Sequence, residues 1–149
     1  MDMTHDIRTG LPDPDTHPEF YDDVPVKRLM AWVVDVGLIA VATAAISVFT
    51  LFLAPLFLPL FLVVGFLYRW MTISGGSATL GMRLMAIELR GADGERLDGL
   101  TAFLHVAGYT VSVITFPLQL ISIVLILTTA RKQGLTDMVL GTAAINRHA

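Results

Sequence analysis

Asp35 is an acid set inside the long apolar run from Leu29 to Leu53, where a membrane chain has least room for charge. Arg28 opens the same run seven positions earlier, two helical turns away, so both side chains leave roughly the same face of a helix. By the rise per residue, Asp35 lies roughly 10 Å along that helix from Arg28. A carboxylate at the centre of a bilayer costs roughly 2.5–3.5 kcal/mol, and less near the interface. Asp35 must therefore face protein, pair with a cation or take up a proton. Asp137 lies just beyond the last apolar run, and a chain that folds back on itself returns it to the neighbourhood of Arg28. One chemistry open to Arg28, Asp35 and Asp137 is a cation or proton site at one end of a helical bundle. The other is a fixed charge cluster that pins the first segment to the C-terminal loop, since a neutralised pair is cheaper to keep in a bundle than a lone acid.

Secondary polar candidates are His105, Gln119 and Arg69. Histidine can relay protons, but a single histidine near a helix start more often serves as an interfacial hydrogen-bond donor. Gln119 can line a path or bond between helices. Arg69, with Arg83 and Lys132, can meet lipid phosphates, although a positive-inside signal also accounts for these cations. Enzyme signatures are missing: there is no metal-ligand pair at helical spacing, no nucleophile triad in one place, and SGGSATLG lacks the lysine of a phosphate-binding loop. The expectation is a protein that is not an enzyme and needs no cofactor or metal.

The elements that carry these residues follow from composition. Of 149 residues 54% are hydrophobic and only 15% are Asp, Glu, Lys or Arg, too little charge to cover a soluble domain of this size. Mean hydropathy is +0.68. The apolar residues gather in two blocks, 29–72 and 100–130. A crossing helix needs about 20 residues, so these blocks hold three or four segments. There is no cysteine, hence no disulfide framework or thiol nucleophile. The net charge of −3 argues against a nucleic-acid partner. The first 25 residues are acidic, with four prolines and Arg8 as their one Lys or Arg, and show no basic and apolar start of a signal peptide. They read as a disordered acidic tail.

From residue 26 to 147 the expected architecture is an all-α membrane domain, a four-segment helical bundle with segments at about 29–53, 56–72, 101–115 and 117–130. The first two form a transmembrane hairpin turned near Pro55 and Pro59, ending in the interfacial set Tyr68, Arg69 and Trp70. SGGSA reads as a flexible break, MRLMAIELR as a short amphipathic strand with Glu88 facing away from Ile87 and Leu89, and GADG as a turn. Gly108 and Pro117 interrupt the last block, which is either one tilted helix or a shorter, re-entrant hairpin folded about Thr115–Pro117. The positive-inside rule favours the hairpin, because it alone puts Arg131 and Lys132 on the cytoplasmic side with Lys27 and Arg28. GTAAIN can then pair with MAIELR as a small cytoplasmic strand element. Gly37, Ala40, Ala44 and Ala45 give the first segment a small-residue face for close helix packing.

Three stretches, in order, resemble the RDD family of small bacterial membrane proteins, named for one arginine and two aspartates. KRLMAWVVD carries Arg28 and Asp35 in the named places, GGSATLGMRLMAIEL resembles the middle glycine-rich element, and RKQGLTDMVLGTAAI supplies Asp137 followed by Gly141 and Thr142. Met82 stands where many relatives carry lysine, and AAI replaces bulkier β-branched residues. The resemblance implies a bacterial membrane protein, and with the positive-inside rule the expectation is a multi-pass protein of the inner membrane with both termini cytoplasmic. It also implies a transport role, with at least some members similar to cation/proton antiporters. The alternative is a non-catalytic accessory or assembly subunit of a larger respiratory, photosynthetic or envelope complex. Expected partners are the lipid bilayer and either further copies of the chain or other membrane subunits.

Overall fold

The computed structural model of the chain describes residues 10–49 and 57–147. The first nine residues of the acidic tail and the expected turn at Pro55 lie outside the described residues. Helix α1 (Val24–Phe49) starts earlier than the apolar run, because Pro25 in its first turn presets a helical φ and its missing N–H forfeits no bond there. Helix α2 (Phe57–Gly76) runs back alongside it. Both are long and apolar enough to cross a membrane. Val41, Val48, Leu58 and Leu67 stand outward along them, an apolar surface suited to lipid. Gly37 also faces open space, so the small-residue face of α1 is not used within the bundle.

After α2 the chain makes a tight turn. Ser77 is buried with a φ of 61°, and its hydroxyl donates to the Leu89 carbonyl (2.6 Å) and accepts from the Leu97 amide (3.0 Å). The glycine-rich segment expected to be a flexible break is thus a pinned corner. A side-chain hydroxyl there stands in for backbone partners that a turn would otherwise lack. Helix α3 (Leu80–Leu84) follows, capped by the Thr79 hydroxyl accepting from the Met82 amide.

Strand β1 (Ile87–Arg90) pairs antiparallel with the C-terminal strand β2 (Ala143–Asn146), with Glu88 opposite Ile145 and Leu89 opposite Ala144. Ile87, Leu89 and Ala144 join Val24, Ala31, Ile73, Ala102 and Val106 in the main core. Glu88, expected on the face away from Ile87 and Leu89, is itself buried. It is 3% exposed, because Arg90 closes over it through two hydrogen bonds and Arg96 and Arg147 flank it at 3.9 and 3.7 Å. The acidic segment also differs from expectation from Gly10 onward. Leu11 and Tyr21 are buried against Ala143 and Ile145, the Tyr21 hydroxyl donates to Pro12, and Asn146 donates to the carbonyls of Glu19 and Asp22. Two apolar anchors give this proline-rich stretch the burial that its charge alone would deny it.

Helix α4 (Gly99–Ile114) is capped by Asp98, whose carboxylate accepts from the Thr101 amide at 2.7 Å. That bond holds the Asp98 carboxyl below its ordinary value. Helix α5 (Phe116–Thr128) carries Pro117 in its first turn and turns from α4 by 117°. At 16 and 13 residues the two helices are about 24 and 20 Å long, each short of a hydrocarbon layer of roughly 30 Å. Both ends of the pair lie at one end of the bundle. The Trp70 indole donates to the Gly99 carbonyl where α4 starts, and Arg28 reaches the Lys132 carbonyl just beyond α5. Gly108, expected to interrupt the block, sits inside α4, where the Thr136 side chain packs directly onto it. Helix α6 (Leu135–Leu140) ends at Gly141 with a φ of 74° and leads into β2.

The α1–α3 crossing depends on Gly81, where a methyl group would lie 2.2 Å from the Ala31 carbonyl oxygen and 2.8 Å from the Asp35 carboxylate. Gly81→Ala should therefore lower stability by about 1–3 kcal/mol. Gly37→Ala, with no atom within 4 Å, should be neutral or slightly stabilising. Thermal unfolding of both variants in detergent tests the contrast.

Candidate functional site

Asp137 is 1% exposed and every lone-pair direction of its carboxylate is occupied. Oδ2 accepts from the Arg28 guanidinium (2.7 Å) and from the Gly134 amide (3.0 Å). Oδ1 accepts from the Thr142 hydroxyl (2.7 Å) and meets His105 Nε2 at 2.9 Å. Local structure places each partner. Arg28 is in the second turn of α1, and His105 is two turns into α4, on its buried side. Asp137 is the third residue of α6, from which it reaches back to the free amide at the helix start. Thr142 follows the left-handed Gly141, which turns the chain so that the threonine hydroxyl points back at the acid. Burial alone raises the acid's pKa, but Arg28 and the His105 and Thr142 contacts outweigh it and hold the Asp137 carboxyl well below the usual carboxylate range.

Asp35 forms a second, separate site. It is 2% exposed and lies on the buried side of α1 with Ile39 and Thr43. Oδ1 accepts from the Tyr68 hydroxyl (2.7 Å) and the Gly81 amide (2.9 Å), and Oδ2 accepts from the Thr79 hydroxyl (2.6 Å). Tyr68 comes from α2, while Thr79 and Gly81 come from the cap and first turn of α3. Among the described residues Asp35 makes no ion pair.

Arg28 and Asp35 share a helix face, yet the structure gives the arginine to Asp137 and gives Asp35 to two hydroxyls and an amide. The three named residues thus fall into two separate sets of hydrogen bonds. His105 joins the Asp137 site. Gln119 lies half-buried on α5 and takes part in neither set of bonds. Arg69 stacks its guanidinium over the Tyr109 ring, 4.5 Å from the centroid, and touches neither acid through a hydrogen bond. Sequence reasoning missed Tyr68, Thr79 and Gly81 as partners of Asp35. Thr79 is legible as a helix cap before LGMRL, but its second bond, across 44 positions, has no local signal.

Removing one partner of a buried pair strands the other charge, so Arg28→Ala and Asp137→Asn should each cost about 3–5 kcal/mol. The depressed Asp137 pKa stabilises the fold fully above the unfolded aspartate value of about 3.9 and is lost as pH falls below it. The destabilisation of Asp137→Asn relative to wild type should thus be constant from pH 5 to 8 and shrink in more acidic buffer. Detergent unfolding midpoints across pH measure this.

No curated protein and no solved structure matches the chain. The model of the RDD family matches residues 24–141, from the first residue of α1 to the glycine that ends α6. That span holds Arg28, Asp35 and Asp137 with all their hydrogen-bond partners but Thr142, and the chain belongs to the RDD family.

Proposed function

We propose that this is a multi-pass protein of a bacterial inner membrane, with both termini cytoplasmic, that works as a non-catalytic accessory or assembly subunit. The observation that carries this reading is the saturation of Asp137. A carboxylate with four partners has no open position for a passing cation. It holds together α1, α4, α6 and the entry to β2, as a structural fastener does. The placement of the termini is supported by the Lys27–Asn146 bond (2.6 Å), which ties the start of α1 to the end of β2, and by the basic residues at that end. The 117° bend, with both ends of the α4–α5 pair at one end of the bundle, supports a re-entrant hairpin in a four-segment arrangement. Such a hairpin is tolerated where protein buries the exposed backbone at its tip. The outward small-residue face of α1 at Gly37, Ala44 and Ala45 suits a neighbouring subunit, either another copy or a different chain.

The experiment is extraction of the native protein in mild detergent, followed by identification of what migrates with it. A partner at fixed stoichiometry, lost in Asp137→Asn, supports the accessory role. Migration as itself alone overturns that role.

A second reading, cation or proton handling, is favoured by Asp35, an acid on an apolar helix that makes no ion pair among the described residues. It predicts that Asp35→Asn in liposomes folds normally but loses proton-coupled flux of sodium or potassium by at least about tenfold. Equal flux in the variant and wild type sinks it.

A further inference from the structure

Arg69 lies on α2 at the junction with α1 and α4, and among the described residues its guanidinium has no hydrogen-bond acceptor. Its five N–H groups find no acceptor and no carboxylate among the described residues. Nη2 is buried against the Tyr109 ring without a hydrogen bond. The Tyr109 hydroxyl accepts from the Trp32 indole at 2.7 Å and donates to nothing described, so its proton is also unspent. Trp32 is 44% exposed, so the junction opens outward on the α1 side. A guanidinium in a low-dielectric layer requires an acceptor. Asp35 does not serve. Its oxygens are taken by Tyr68, Thr79 and Gly81, whereas the Arg69 guanidinium stacks on Tyr109 of α4.

Depth narrows the ligand. Trp70, the next residue, donates to the Gly99 carbonyl at the start of α4. Trp32, Tyr68 and Trp70 lie in the first turns of α1 or the last turns of α2, the ends that carry Lys27, Arg28 and Arg69, where aromatic side chains meet the headgroup region. We propose that Arg69 and Tyr109 form a binding site for the phosphate of an anionic phospholipid headgroup, with Trp32 fixing the tyrosine beside it. A phosphodiester supplies several acceptor oxygens on one anionic centre, matching the fork of Nε and Nη1 and the tyrosine O–H. The site rests on the membrane placement of α2 and α4 and is independent of what the two aspartates do.

The test uses delipidated full-length protein in detergent, titrated with phosphatidylglycerol and separately with inorganic phosphate, and read by native mass spectrometry and thermal shift. Wild type should retain one phosphatidylglycerol, Arg69→Gln should bind it roughly tenfold or more weakly, and Tyr109→Phe should bind it several-fold more weakly. Inorganic phosphate should give no comparable protection. Equal retention by wild type and Arg69→Gln overturns the site, and equal protection by inorganic phosphate overturns the lipid as its source. If Arg69→Gln fails to fold, Tyr109→Phe decides, and unchanged retention overturns the site as stated.

Discussion

One buried carboxylate organises the end of the bundle where α1 begins and β2 finishes. Asp137 draws Arg28 from α1, His105 from α4, the Gly134 amide from the loop after α5 and the Thr142 hydroxyl before β2. These groups lie as far as 109 positions apart in the chain. A charge with so little water needs all of them, because each lost partner leaves a desolvation cost unanswered. The other features at this end depend on that closure. Helix α5 must return to the start of α1 for the contact to form, which sets the sharp turn at Thr115–Pro117. β2 must leave α6 through a left-handed glycine to bring Thr142 back, and that exit delivers β2 to its partner β1.

Asp35 makes the corresponding bonds to α2 and α3, with no ion pair among the described residues. Two hydroxyls and an amide are enough to satisfy it, and they come from α2 and α3, so the acid fixes the corner at which the chain leaves the membrane hairpin. The corner is further held by Ser77, whose hydroxyl bridges the carbonyl and amide groups of Leu89 and Leu97. Close approach makes this possible only with glycine at position 81, where the Ala31 carbonyl leaves no space for a side chain. The middle glycine-rich element is thus less a hinge than a fitted joint. Among the described residues the two acids differ in their partners: Asp137 is ion-paired, and Asp35 is held by neutral donors alone.

Much of the architecture was legible in residue order. Two apolar blocks, separated and bounded by charge, set the membrane class. The strand pair was visible in the alternation of MAIELR and GTAAIN, and the turn at Pro117 in the residue that cannot continue a helix. Less was legible at the site. Spacing placed Arg28 and Asp35 on one face and invited their pairing, but a shared face brings two side chains near each other without making them partners. Glu88 shows a related limit: strand alternation assigns a face, and only the three arginines that gather from β1, the following loop and the end of β2 turn that face into a buried one. The tail misled because composition averages over its length, whereas two residues, Leu11 and Tyr21, supply its anchorage.

By itself the sequence determined the membrane class, the helical segments, the strand pair and the family, because these rest on local periodicity and on hydrophobicity summed over about 20 residues. It also determined which residues carry charge at depth. Tertiary structure alone decided which acid takes the arginine, that α4 and α5 fold back to one end, that a histidine and a threonine complete the Asp137 site, and that Arg69 stacks on Tyr109. Most of those outcomes depend on contacts between distant residues, such as His105 with Asp137, 32 positions apart, and Arg28 with Asp137, 109 apart. Each is chosen by the demand that a buried polar group find partners, a demand met only when the whole bundle is assembled.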